Sequence, residues 1–279
     1  MNIDSVHLPK QAKALVEGQN KVSTYESTGG IVTSQFAAHN LTLLSPIPSG
    51  SIIHDNTCGS GTVTRAILSA NPSASNLQFH ATDTDQVFLD ALQKDISAHS
   101  WPVTVANAKS EALPFSDDYF THSITNIGIF FTSSAGVDGA KEIYRTLQPG
   151  GTAVVNCWEF VAWFLPLKTV HDALRPGKPF PAPTINWSDG QQLQKVMQEA
   201  GFAQDKMRLE KSEAWASTKE EDFWAWAEKT WAYLGGVGVW QESDEERWGE
   251  AVDMLVKILK EQKGTKIENG EGDGRVCPI

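Results

Sequence analysis

The stretch Ser51–Thr64, SIIHDNTCGSGTVT, constrains this chain more than any other. It opens on a β-branched pair, Ile52–Ile53, passes through Asp55, and breaks at Gly59 and Gly61. A helical pattern follows at once in Val63, Ala66, Ile67 and Leu68, with a stop at Asn71–Pro72. Strand, glycine turn and helix make the unit that offers backbone N–H groups and a helix N-terminus to a nucleotide-like ligand. Glycine serves there for two reasons: the turn needs unusual φ/ψ, and a side chain would hold the ligand off the backbone.

The same alternation runs on. Ahead of it, a short helix is expected around Pro9–Glu17, and Ile31, Val32, Phe36, Leu41, Leu43 and Leu44 predict a helix that ends before Pro46 and Pro48. Behind it, strands are predicted at Leu77–Thr82, Pro102–Asn107, Phe120–Ile127 and Thr152–Cys157. Helices are predicted between them at 86–98 and 136–147. This rhythm gives an α/β fold, a doubly wound, mostly parallel sheet of Rossmann-like kind with added N- and C-terminal helices. Ligands of such sheets bind beyond the carboxyl ends of the strands, where Asp55, Asp83, Asn107 and Asn126 fall. For the two asparagines, turn capping is an equally good reading. The expected organisation is a helical segment 1–49 over the site, a core 50–215, and C-terminal helices and tail 216–279 of the same domain.

Residues 158–187 break the rhythm with a long, aromatic and proline-rich segment, which a compact domain keeps for function. Trp158, Trp163 and Phe164 either line a substrate pocket or belong to the core. Capping boxes at Ser188/Gln191, Thr218/Glu221 and Ser243/Glu246 predict three further helix starts, with a strand between at 206–215. Trp215, Trp224, Trp226 and Trp231 read as helix packing. The tail from Gly264 is rich in Gly and Glu.

A net charge of −11 and a pI near 5.1 argue against a nucleic-acid partner, which would need clustered Lys and Arg. Cys58, Cys157 and Cys277 form no C-x-x-C pair, so neither a metal site nor a disulfide framework is expected. No N-terminal apolar leader and no 18-residue apolar run is present, so the expectation is a cytoplasmic protein without membrane attachment. His171 and Asp172 are the only general-base candidates, and a solvated helix start explains them as well.

For the ligand itself, a dinucleotide turn would carry a third glycine where Thr64 stands. Asp55 would repel a pyrophosphate but suits a ligand with an amino group, which favours an amino-acid nucleoside. Asp83, 22 positions after Gly61, is spaced to accept from ribose hydroxyls.

The ordered set DNTCGSG at 55–61, Asp83, LPFSDDYF at 113–120 and LQPGG at 147–151 resembles the class I S-adenosylmethionine-dependent methyltransferases over roughly 23–157. Thr57 stands where most members have the first glycine. The DNTCG form resembles a fungal branch acting on secondary metabolites, and within it the gliotoxin-type dithiol S-methyltransferases. The resemblance implies S-adenosylmethionine as cofactor, held by the backbone of Cys58, Gly59 and Gly61, by Asp55 at the amino group or an ordered water, and by Asp83 at the ribose. It sets Thr84, Asn107 and Ala108 at the adenine and Asn126 and Ile127 at the methionine chain, with Tyr25 closing over them. Packed aromatic is the other reading of Tyr25, and a reactive thiol the other reading of Cys58. Members end in an antiparallel strand, for which only RVCPI at 275–279 is present.

A sulfonium methyl is already activated, so the protein mainly aligns a nucleophile and excludes water. Oxygen acceptors need a general base that the chain does not show. A thiol of ordinary pKa, about 8.5, does not. The expectation is S-methylation of a small molecule by a monomer or weak homo-oligomer, the alternatives being O- or N-methylation or a non-catalytic cofactor-binding regulator.

Overall fold

The computed structural model describes residues 7–44, 46–71, 76–182, 184–236, 238–263, 265–268 and 275–277. Pro72 and most of the Gly- and Glu-rich tail lie outside them, as does the side chain of Cys277. The helices are α1 (Lys10–Val16), α2 (Gln19–Glu26), α3 (Gly29–Leu43), α4 (Thr62–Ala70), α5 (Gln86–His99), α6 (Val137–Thr146), α7 (Phe164–Leu174), α8 (Gln191–Ala200), α9 (Phe223–Leu234), α10 (Ser243–Glu246) and α11 (Trp248–Glu261). The strands are β1 (Ile52–Asn56), β2 (Gln78–Asp83), β3 (Val103–Asn107), β4 (Phe120–Asn126), β5 (Leu147–Asn156), β6 (Thr218–Lys219), β7 (Lys266–Glu268) and β8 (Arg275–Cys277).

The chain packs as two units. One contains Thr33–Glu159 and Ile185–Ala214, the other Met1–Val32, Phe160–Thr184 and Trp215–Ile279. The segment 158–187, expected inside the core, is thus divided between them.

The first of these units is built on β1–β5, all parallel, in the order β3-β2-β1-β4-β5. Strand order reverses between β1 and β4, which puts the crevice at their carboxyl ends. Ile53, Phe79 and Ile124 pack with Val63 and Ile67 of α4 and Ala37 of α3. Cys58 and Ala81 pack with Leu89, Leu92 and Ile96 of α5. Val154 of β5 joins the first cluster, whereas its neighbours Ala153 and Val155 pack with α6 and α8. Alternate residues of one strand therefore meet helices on opposite faces, as a doubly wound sheet requires.

Several element expectations need correction. The strand predicted at 206–215 does not form: Gln204–Lys206 is a 3-10 turn and no ladder follows it up to Thr218. Lys211 and Glu213 stand where apolar residues would have continued the Met207, Leu209 alternation, and Lys211 pairs with Glu159. Arg275–Cys277 is a strand, but it joins β6 and β7 in a separate antiparallel sheet rather than the five-stranded one. At Gln191 the N–H is capped by Asp189 (2.9 Å), while Ser188 donates to Asn186 instead. The helices after Thr218 and at Ser243 begin without a side-chain cap.

The other unit is helical, with a Trp-rich interior. α7, within the segment expected to be irregular, buries Leu167, Val170, His171 and Leu174 along one face. Arg175 at its end is buried and lies 5.2 Å from the Trp231 ring centroid and 4.9 Å from that of Trp240. Its guanidinium donates to Asp244, to Gly235 O and to His171 Nδ1. His171 therefore carries its proton on Nε2, which donates to Lys178 O at 3.1 Å. Asp172 is exposed and pairs with Lys168. Neither is a base for chemistry.

Candidate functional site

The site is built from the glycine turn upward. Thr57 and Gly59 turn the chain with φ of +55° and +52°, and Gly61 follows at +90°. A Cβ on Gly61 would stand 2.5 Å from Leu92 Cδ1, so a side chain there would push on α5 as well as strain the positive φ. A Cβ on Gly59 would meet nothing within 4 Å. That open space over the backbone is the cradle a ligand would enter.

The turn is tied to β2 and to itself. Cys58 N–H donates to Thr82 O at 2.9 Å and Gly61 N–H to Cys58 O at 2.8 Å. Gly59 N–H donates to Asp83 Oδ2 at 2.8 Å, and Asp85 N–H to Asp83 Oδ1 at 3.0 Å. The three amides expected to face a ligand are thus engaged within the protein, and Asp83 locks the turn while keeping lone pairs for hydroxyl donors.

Asp55 has a role that the strand-end reading did not contain. It is buried, and its Oδ2 accepts from Thr64 N–H at 2.9 Å and from Thr64 Oγ1 at 2.7 Å. Thr64 is the third residue of α4, so Asp55 caps that helix from inside the sheet. The residue that replaces a third glycine is the cap's partner. Burial raises the Asp55 carboxyl to about 6 against the two Thr64 hydrogen bonds that lower it. Burial, then the charges of Asp55 and Asp83, push the Cys58 thiol well above its ordinary value, so it stays protonated. The field at the turn is negative, which suits a cationic ligand and opposes a pyrophosphate.

The remaining strand ends are ordered by amides. Asn126 Oδ1 accepts from Asn40 at 3.1 Å and from Asn156 at 3.0 Å, and its Nδ2 donates to Thr33 O. Asn156 Oδ1 accepts Ile127 N–H at 2.7 Å, holding Ile127 at φ +59°. Asn107, exposed, donates to Thr84 O and Gln86 Oε1, and Ala108 N–H to Asp83 O. Thr84, Asn107 and Ala108 thus gather around the end of β2, beside the turn. Asn40 gives no sequence signal, because its partners are 86 and 116 positions away.

The LPFSDDYF run is bracketed by α6. Arg145 donates to Leu113 O and Phe115 O and pairs with Asp117 and Glu142, while Glu142 accepts Leu113 N–H. Of the aromatic candidates, Trp158 lies in the same unit and meets Phe36 edge-on at 5.6 Å. Tyr25, Trp163 and Phe164 belong to the helical unit. Tyr25 packs on Tyr233 and beside Gly29, Trp163 is buried against Trp226, and Phe164 meets Phe180.

Comparison with known proteins gives the chain's relatives. Residues 53–151 match the family described as Methyltransferase domain. The chain is 27% identical to the acetylaranotin bis-thiomethyltransferase of Aspergillus terreus, over 47% of this chain and 43% of that protein. It is 26% identical to methyltransferase tpcH of Aspergillus fumigatus, over 54% and 57%. The chain thus spans about half the length of these curated relatives. Its fold is shared with a phosphoethanolamine N-methyltransferase of Haemonchus contortus solved with S-adenosylhomocysteine, at 12% identity and TM-score 0.52 over 98% of this chain and 59% of that one. The open cradle at Gly59, the carboxylate at the end of β2 and the negative field fit the same cofactor. Over residues 53–151 the chain thus matches a methyltransferase domain, and over about half its length it is similar to fungal methyltransferases.

Proposed function

We propose that this protein methylates a small-molecule acceptor of secondary metabolism, and that the acceptor atom is a thiol sulfur, as in a reduced epidithiodiketopiperazine. The observation that carries the transferase reading is the β1 turn tied by Asp83 to the end of β2 at the switch point, open over Gly59. Asp83 would hold the ribose, with Thr84, Asn107 and Ala108 at the adenine. Asp55 keeps α4 in place beneath. When bound, S-adenosylmethionine supplies an electrophilic methyl, so the protein's own part is to orient and to exclude water.

The choice of sulfur rests on the residues just past the strands. The side chains after β1, β2, β3, β4 and β5 are Thr57, Thr84, Ala108, Ile127 and Cys157, and none is a base. Burial raises Cys157 to about 11, and Cys58 is raised as well, so neither protein thiol competes for the methyl. An acceptor thiol ionises unaided to a useful extent near neutral pH. A relative named as a bis-thiomethyltransferase supports the same choice. The test offers the purified protein S-adenosylmethionine with a dithiol, a phenol and an amine of similar size and detects methylated product by mass. Methylation of the dithiol alone is expected. Methylation of the phenol or amine alone would move the acceptor to oxygen or nitrogen, and no product with any of them, despite cofactor binding, would favour the regulator.

A further inference from the structure

Thr57 is out of place by conformation. A non-glycine residue at φ +55° is uncommon, and a β-branched one is strained there. It comes directly after the last residue of β1, at the switch point where glycine would sit without strain. The end of the neighbouring strand β4 leaves room for it. A Cβ on Gly128 would stand 1.9 Å from Thr57 Oγ1 and 2.6 Å from Thr57 Cβ, so the bulk at 57 is possible only because 128 has none. A strained side chain with a space reserved for it two residues beyond β4 has a use.

The chemistry of the hydroxyl says which. Thr57 Oγ1 donates to Asn56 O at 2.5 Å. With its proton engaged, the oxygen retains only acceptor capacity. The turn around it carries a negative field from Asp55 and Asp83, and the amides of Cys58, Gly59 and Gly61 are engaged internally. An acceptor in such surroundings selects a positively charged donor. Resting on the cofactor reading above, we propose that Thr57 Oγ1 accepts a hydrogen bond from the α-ammonium group of S-adenosylmethionine, a side-chain contact that replaces what a glycine at this position leaves to backbone.

The test is calorimetric, with S-adenosylhomocysteine and its deaminated analogue as ligands of wild type, Thr57→Ala, Thr57→Ser and Thr57→Gly. Wild type is expected to bind the amino ligand at least tenfold more tightly, the size of one hydrogen bond to a charged group. Thr57→Ala should lose most of that preference while binding the analogue unchanged, and Thr57→Ser should restore it. Thr57→Gly, relieved of strain, should melt a few degrees higher and lose the preference too. Equal affinity of wild type and Thr57→Ala for S-adenosylhomocysteine would overturn the proposal, as would equal weakening toward both ligands. Wild type that binds neither ligand would overturn the cofactor reading with it.

Discussion

Asp55 and His54 are consecutive residues of β1, both buried, and burial moves them in opposite directions with respect to folding. Asp55 is raised from 3.8 to about 6 in the folded protein. The native state therefore binds its proton more tightly than the unfolded chain does, and stability falls as pH rises from about 4 to about 6. His54, stacked on Phe120 and bonded to Thr82, is lowered from 6.5 to about 3 by burial and then by His80. Here the unfolded chain binds the proton more tightly, so stability is full above 6.5 and is lost as pH falls toward 3. Each slope is one proton, so the two cancel between about pH 4 and 6 and only the His54 loss remains below. Asp55→Asn, which keeps an acceptor for Thr64, should be the more stable form at pH 7 by about 3 kcal/mol and lose that advantage by pH 4. His54→Asn should flatten the acid limb. Urea melts of wild type and both variants from pH 3.5 to 8 read these effects as differences, since His80 and His122, also lowered by burial, add their own loss toward acid. An Asp55→Asn advantage that does not shrink between pH 7 and 4 would contradict the assignment. The sequence marked Asp55 as a candidate site acid because of its glycine turn; that it caps α4 was hidden, since the cap depends on which face of β1 meets Thr64.

At the scale of elements, β1, the turn and α4 were legible because each residue type there has one use: β-branched residues for a buried strand, glycine for positive φ, an apolar stripe for the helix. α7 was not. Its first turn contains Pro166 and it is followed by Pro176, so the segment reads as proline-rich loop, although proline is tolerated in a first turn and common just past a helix end. The period-3.6 pattern of Leu167, Val170, His171 and Leu174 was present and was masked by its aromatic neighbours. Arg175, at the end of this helix, is a buried charge held by Asp244. Removing one partner of such a pair leaves the other unpaired, so Asp244→Ala should destabilise the protein by about 3–5 kcal/mol. Thermal or urea unfolding of the variant checks it, and a loss below about 1 kcal/mol would show the pair to be dispensable.

For the whole molecule, the doubly wound sheet was legible from the alternation of strands and helices; the strand order was not, and the order β3-β2-β1-β4-β5 places the reversal between β1 and β4, the strands of Asp55 and Asn126. The division into two units was not legible, because each is discontinuous in sequence and the break inside 158–187 carries no linker composition. The methyltransferase match, 53–151, falls within one unit, and most tryptophans within the other. Among the described residues, no helix is long and apolar enough to cross a membrane.

The central claim is that the β1 turn, tied to Asp83, holds S-adenosylmethionine. Calorimetric titration with S-adenosylmethionine, with NADH as control, tests it most directly when wild type and Asp83→Ala are compared. The account predicts binding of S-adenosylmethionine alone, weakened at least tenfold by the substitution, which removes both the ribose acceptor and the tether to Gly59 N–H. Folded wild type that binds NADH instead, or an Asp83→Ala variant with unchanged affinity, would contradict it.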